Sequence, residues 1–260
     1  MRRDRRVTAW RGEAAQLPTG SDKRRLVRSM FDAIAPRYEL VNDLMTFGLD
    51  RSWRRRALAA LELAPSTTVL DLACGTADFA RALEHAGYRA VGVDLSPGML
   101  AAAHGTTSPL LLADALRLPF ADRTLDGCIS GFALRNLVDL EATFAEIARV
   151  VVPGGRIALL EVDRPGNPLL GAANRLWCEQ GVPRLGALLS DPSAYRYLPR
   201  SYAYLPGRDE LLGLLRAAGF VDACHLPLTW GVTQVITATR AGARPLVRRS
   251  GAREVLAGRR

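Results

Sequence analysis

The sequence predicts an α/β fold, an open, doubly wound and mostly parallel sheet with helices on both faces. Three observations lead there. From residue 67 to 162, short apolar runs rich in β-branched residues alternate with stretches of helical periodicity. The first two runs stop at acids, Asp71 and Asp94. The first run, "VLDL", passes straight into the small-residue turn "ACGTA", as at the opening of a nucleotide-binding βα unit. A chain of 260 residues has room for one such domain with a small helical lid.

Taken in order, residues 1–22 form a basic tail. Residues 23–62 carry helical spacing through Leu26, Met30, Ile34, Trp53, Leu58 and Leu61, broken at Pro36 and Gly48. Strands are expected to end at Asp71, Asp94, Leu112, Gly131 and Val162, with helices over 77–86, around 101–103 and over 140–150. "VVPGGR" at 151–156 reads as a turn feeding the fifth strand. Residues 164–205 lose the alternation and read as a mostly helical insertion, a second lid piece beside 23–62. A helix and two strands fill 208–239, and 240–260 is a second basic tail, which leaves 23–239 as one domain.

The net charge of +9 is carried by the ends. Residues 1–30 hold nine Lys/Arg against three Asp/Glu, and 240–260 hold seven against one, so the body between them is slightly acidic. Such a body gains no counterion-release energy on a polyphosphate, and no nucleic-acid partner is expected. Solvated, disordered tails are the expectation, with contact with an anionic membrane surface as the alternative. No apolar run approaches the ~18 residues of a spanning helix, and the basic start lacks the apolar core of a signal peptide. A cytoplasmic protein, at most peripheral to the inner face of the membrane, is expected. The four cysteines, Cys74, Cys128, Cys178 and Cys224, have neither metal-ligand nor redox spacing, so reduced thiols and no metal are expected.

In open sheets the ligand sits beyond the carboxyl ends of the strands. A dinucleotide would ask for the glycines of G-x-G-x-x-G, whereas this turn has Gly75 alone, with Asp71 before it and Asp78 after. An anion there would meet carboxylates, so a cation or zwitterion is the better ligand. S-adenosylmethionine meets that condition. It carries a sulfonium and an ammonium, no phosphate, and a ribose diol suited to Asp94 at the second strand end. Asp114 in "ADALRLPF" is placed to accept from the adenine amino group, and Asp71, Gly75 and Thr76 complete the turn. A nicotinamide-dependent reductase or a non-catalytic cofactor-binding regulator is the alternative from another class.

These residues resemble the class I S-adenosylmethionine-dependent methyltransferases, and within them the ubiquinone/menaquinone biosynthesis C-methyltransferases. The resemblance runs from about Met30 to Gly231 through "FDAIAPRYELVNDLMTFGLDRSWRR", "VLDLACGTADF", "VDLSPGML", "DALRLPFADRTLDG", "GFALRNL", "RVVVPGGRIALLEV", "LLSDPSAYRYLPRSY" and "LLRAAGF". It implies a Rossmann-like, seven-stranded sheet and C-methylation of a prenylated hydroquinone, with demethylmenaquinol the expected acceptor. It also implies cofactor contacts at Thr76, Asp94, Asp114 and Ala115, with Gly131 where the family usually has serine. The chain departs from the family at Glu39, Thr46 and Asp50, at Val152 and Asp163, and in "GVTQVITATR", so another aromatic or polyketide-like acceptor is the alternative.

Ring-carbon methylation needs an electron-rich arene, alignment and a held phenolate-like oxygen. Arg135 and Asn136 in "ALRNL" follow the fourth strand and are candidates to face that oxygen; a structural Arg–carboxylate pair is the competing reading. Tyr195 and Tyr197, by resemblance, cover the acceptor. Of the histidines, His85 and His104 read as surface residues, and His225 is the remaining candidate for a role.

Overall fold

The computed structural model of the chain describes residues 18–189, 197 and 199–242. Its strands are β1 (Thr68–Leu72), β2 (Arg89–Asp94), β3 (Leu110–Leu112), β4 (Leu125–Gly131), β5 (Val151–Val162), β6 (Phe220–Leu228) and β7 (Thr233–Arg240). They form one seven-stranded sheet in the order β3-β2-β1-β4-β5-β7-β6. All neighbouring pairs are parallel except those of β7, which runs antiparallel to both β5 and β6. β1 is buried at Val69, Leu70, Asp71 and Leu72, which explains its near-continuous apolar run, because helices cover both faces of the sheet.

The helices are α1 (Gly20–Ile34), α2 (Tyr38–Met45), α3 (Asp50–Ala59), α4 (Asp78–His85), α5 (Pro97–Ala102), α6 (Leu140–Val150), α7 (Pro168–Leu176), α8 (Val182–Leu189) and α9 (Arg208–Ala217). Local chemistry sets several starts. Ser96 Oγ accepts from Met99 N–H ahead of α5, Asp139 from Ala142 N–H ahead of α6, and Asn167 from Leu169 and Leu170 N–H ahead of α7. Pro36 reduces the chain between α1 and α2 to a short 3-10 turn, and Gly48, at φ +71°, lets it reverse before α3.

One expectation is corrected. "VVPGGR" is no separate turn before β5 but part of it: Leu125 pairs with Val151 and Gly127 with Arg156, so residues 152–155 bulge opposite Asp126. Gly154, at φ +74°, permits the bulge.

Phe144, Ile147, Leu211, Leu215 and Phe220 fill one face of the sheet. Trp53, Leu61, Phe79 and Leu83 fill the other. A third cluster, of Val27, Met30, Ile34, Met99, Val182 and Tyr197, packs α1 onto α5 and α8. Cys74 and Cys128 are buried, Cys178 is half-buried and Cys224 exposed, all as free thiols. Among the described residues no helix is long and apolar enough to cross a membrane, and no three ligating side chains gather as a metal site.

The strand order reverses between β1 and β4, so the ends of β1, β2 and β4 frame the crevice where a ligand would lie. Packing there is tight. A Cβ on Gly127 would stand 2.7 Å from the Arg156 carbonyl oxygen and 2.6 Å from Leu63 Cδ1. Gly127→Ala should destabilise the protein by about 1–3 kcal/mol in urea unfolding, because the backbone carbonyl cannot turn aside.

Candidate active site

Asp94 closes β2, and its two oxygens are used separately. Oδ2 accepts the Gly75 N–H and Oδ1 the Ser96 N–H, each at 2.8 Å. Burial raises its pKa, and those N–H groups partly offset the rise. Beside it lies a cavity of about 100 Å³, whose lining includes Gly75, Asp94, Asp114, Ala115, Gly131 and Asn136. Helix α1 roofs this cavity with Arg24, Val27 and Phe31. Arg24 also pairs with Asp114 at 3.2 Å, while Asp114 Oδ1 accepts from Leu116 N–H.

A second cavity, of about 140 Å³, adjoins the first through the shared walls Phe31, Tyr38 and Phe132. Met45, Trp53, Trp177 and Tyr202 make it predominantly apolar, and Arg135 is the cation in its wall. Arg135 Nη1 is ion-paired with the fully buried Glu161 and donates to the Phe132 carbonyl at 3.0 Å; Nε donates to Ser201 Oγ at 3.1 Å. Burial alone would lower the pKa of this guanidinium, and Glu161 more than offsets it. Nη2 makes no hydrogen bond among the described residues.

The expected site residues therefore divide. Gly75, Asp94, Asp114, Ala115, Gly131 and Asn136 come together at the first cavity, and Arg135 stands at the second. Asp71 and Thr76 line neither. Asp71 points under the turn, accepts the Ala80 N–H at 2.9 Å and so ties β1 to α4. Thr76 is buried, with Oγ1 unpartnered. Asp78 also faces away, toward Arg54 Nη2 at 2.7 Å and Arg81, so the acids bordering the first cavity are Asp94 and Asp114. Tyr195 lies outside the described residues. Tyr197 packs beneath α1 and lines neither cavity; the cavity tyrosines are Tyr38 and Tyr202. His225 pairs with Asp163 at 3.0 Å outside both cavities, and His85 and His104 are exposed.

Several residues escaped the sequence reading. Asp32 of α1 accepts from Ser96 Oγ and, at 2.9 Å, from Gly98 N–H, binding the lid to the β2–α5 loop. No local pattern marks it. Glu161 did carry a signal, as a lone acid within the apolar run "ALLEV". The buried Lys23 donates to the Leu137 carbonyl at 2.6 Å, and burial brings its pKa down to about 8.

The chemistry of the first cavity fits S-adenosylmethionine. Asp94 and the unpartnered Asn136 Oδ1 are acceptors, and the cation in its lining, Arg24, is already paired with Asp114. Acceptors suit ribose hydroxyls and a cationic ligand, whereas a phosphate would find its charge opposed. Gly75, at φ +56°, has open space where a Cβ would project, so the turn leaves room beside Asp94.

Asp71 gives a test through pH. Burial raises its pKa from 3.8 to about 7, so the folded state binds a proton that the unfolded chain has already released. Its contribution to stability is thus greatest below pH ~4 and is lost as pH rises through about 7. Asp71→Asn should flatten that part of the stability–pH curve, as read by denaturant midpoints from pH 4 to 8.

A profile of the ubiE/COQ5 methyltransferase family matches residues 19–240. The ubiquinone/menaquinone biosynthesis C-methyltransferase UbiE of Syntrophotalea carbinolica is 42% identical over 222 residues, covering 82% of this chain and 94% of the relative. The demethylmenaquinone methyltransferase of Thermus thermophilus is 43% identical over 216 residues, covering 79% and 97%. Among solved structures, a phosphoethanolamine N-methyltransferase 2 of Haemonchus contortus in complex with S-adenosyl-L-methionine superposes with TM-score 0.58 at 14% identity, over 78% of this chain and 56% of that one. A SAM-dependent methyltransferase of Thermotoga maritima does so with TM-score 0.57 at 19% identity, over 82% and 99%. Those two likenesses concern the fold. With the family profile covering the whole described domain and relatives above 40% identity, the chain is a methyltransferase and belongs to the ubiE/COQ5 methyltransferase family.

Proposed function

We propose that the protein uses S-adenosylmethionine to methylate a ring carbon of a prenylated hydroquinone, with demethylmenaquinol as the acceptor. One observation carries the reading. The acceptor-rich first cavity and the apolar second cavity share the walls Phe31, Tyr38 and Phe132, so a polar cofactor and an aromatic acceptor held in them would meet there. The names of the relatives, demethylmenaquinone methyltransferase among them, agree with it.

When bound, S-adenosylmethionine supplies an electrophilic methyl group on a sulfonium. Asp94 accepts from the ribose hydroxyls with lone pairs that its bonds to Gly75 and Ser96 leave over. Asp114 would accept from the adenine amino group with lone pairs that its contacts to Arg24 and Leu116 N–H leave over. Phe132 and Tyr38 close the two ligands off from water at their junction, where alignment supplies much of the rate.

Arg135 acts on the acceptor. Glu161, Ser201 and the Phe132 carbonyl fix its guanidinium, and Nη2 is left to face a phenolic oxygen. A cation held there favours the phenolate, which places electron density on the ortho ring carbon. That carbon would take the methyl group as the methyl–sulfur bond breaks, its electron pair staying on the sulfur of the departing neutral thioether, and the carbon's own proton would then pass to solvent, which restores the aromatic ring. Asn136 lines the cofactor side, and its part is to orient the cofactor rather than the acceptor.

The quinone form is electron-poor and cannot attack a sulfonium. Methylation should therefore require a reductant when labelled cofactor and demethylmenaquinone are mixed anaerobically and the products weighed by mass spectrometry. Equal transfer to the oxidised ring, or transfer to oxygen, would overturn the reading. Truncating Arg135 to alanine would leave Glu161 buried without its cation, at a cost of about 3–5 kcal/mol. Arg135→Lys keeps the charge and loses the fork, and should lower kcat roughly 10²-fold with cofactor affinity unchanged.

A further inference from the structure

Three exposed apolar segments surround the second cavity. Phe47 and Leu49 follow Met45 and Thr46, which line it; Leu169 and Leu176 stand on α7, which contributes Asn174; and Trp230 precedes Val232 and Thr233, which line it. Phe47 is 73%, Leu169 82% and Trp230 83% exposed. Contacts join the segments into one rim. The rings of Phe47 and Trp177 lie 5.0 Å apart, and Trp177 Nε1 donates to the Met45 carbonyl. Trp53 Nε1 donates to Thr229 Oγ1 at 2.7 Å, and a Cβ on the neighbouring Gly231 would lie 3.4 Å from Pro165, just ahead of α7.

The backbone that presents Trp230 is strained. Thr229 and Trp230 have φ of +46° and +54°, a left-handed pair that costs on the order of 1–3 kcal/mol per residue. The indole of Trp230 is exposed, so its own burial recovers none of that cost. A large aromatic ring with an N–H is suited to an interface that is apolar on one side and wet on the other.

Charge singles out the same side of the molecule. Residues 20–59 and 164–189, which make the lid, hold twelve Lys/Arg against six Asp/Glu, whereas 60–163 and 199–240 hold eleven against sixteen. The grooves flanking the cavity hold Arg51 and Arg55 together with Asp43 and Asp50, and Arg164 and Arg175 together with Asp163 and Glu179, so the positive excess belongs to the lid as a whole and not to either groove. A basic lid on an acidic core is drawn lid-first to an anionic surface, and the core is repelled from it.

We propose that this rim docks on an anionic lipid bilayer and opens the second cavity toward it, so that the acceptor passes from the membrane into the site. The inference rests on the lipophilic acceptor proposed above. It identifies the docking surface as Phe47, Leu169, Leu176 and Trp230 with their flanking arginines, independently of the basic tails.

Co-sedimentation of the full chain with vesicles tests it, using phosphatidylglycerol and phosphatidylcholine in equal parts against phosphatidylcholine alone. The wild type should bind the anionic vesicles. The double variant Phe47→Ser/Trp230→Ser should bind them about tenfold or more weakly, with an unchanged melting temperature. Arg51→Glu/Arg55→Glu should weaken binding at low salt, with the difference shrinking as salt rises. Equal binding by the wild type and the Phe47/Trp230 variant would assign attachment to the tails and overturn the proposal, as would absence of binding by the wild type. A dimer in light scattering that the Phe47/Trp230 variant dissolves would give the rim to a second copy and likewise overturn it. On a short-chain, water-soluble hydroquinone that variant should keep wild-type turnover, losing rate only on vesicle-embedded acceptor. Vesicle binding through the rim with no methylation of any hydroquinone would leave the docking in place and remove the acceptor assignment.

Discussion

The carboxylate of Asp94 holds the site together. Its two oxygens take the backbone N–H groups of Gly75 and Ser96, which belong to turns after different strands. From Ser96 the connection continues, because Ser96 Oγ and the Gly98 N–H both donate to Asp32 of α1. One half-buried acid thus fixes the β1–α4 turn, the β2–α5 loop and, at one remove, the lid helix that roofs the cavity. Taking a carboxylate partly out of water is costly, and for Asp94 the cost is offset by hydrogen bonds that also define the shape of the site.

Glu39, Thr46 and Asp50, where the resemblance implies departures from the family pattern, belong to a second network. Asp50 is buried, accepts from Asn42 Nδ2 at 3.2 Å and Thr46 Oγ1 at 3.3 Å, and stands 3.5 Å from Arg54 Nε. Arg54 reaches Asp78 on α4, and Arg81 on the same helix reaches Glu39. Glu39, Thr46 and Asp50 thereby tie α2 and α3 to the sheet domain. They lie behind the second cavity, and apart from Thr46 they do not line it. Their chemistry is that of a latch between lid and core.

What the sequence made legible was what depends on period and connection. Strand ends at Asp94, Leu112, Gly131 and Val162 follow from apolar runs and the turns that stop them, and parallel order follows from the intervening helices. Asp94, Asp114 and Gly131 could be placed at one cavity because strand ends share an edge. Side-chain direction was not legible. Asp71 turns inward to Ala80, and Asp78 turns outward to Arg54, a partner twenty-four positions earlier in the chain. The pairing of Arg135 with Glu161 likewise spans two elements, and the sequence held the structural and the functional reading of Arg135 side by side. Among the described residues Nη1 and Nε are bound and Nη2 is not, so the structural pairing leaves room for the proposed role.

Asp94 is the pin of the site and, in the proposed function, also the acceptor for the cofactor's ribose. Calorimetric titration of S-adenosylhomocysteine into the wild type and into Asp94→Asn measures this directly, because the amide keeps an acceptor for one backbone N–H and loses the charge that the diol would meet. A charged acceptor is worth about 1.5–3 kcal/mol per hydrogen bond, so affinity should fall by roughly 10- to 100-fold while the fold persists in circular dichroism. An unchanged dissociation constant would contradict the account.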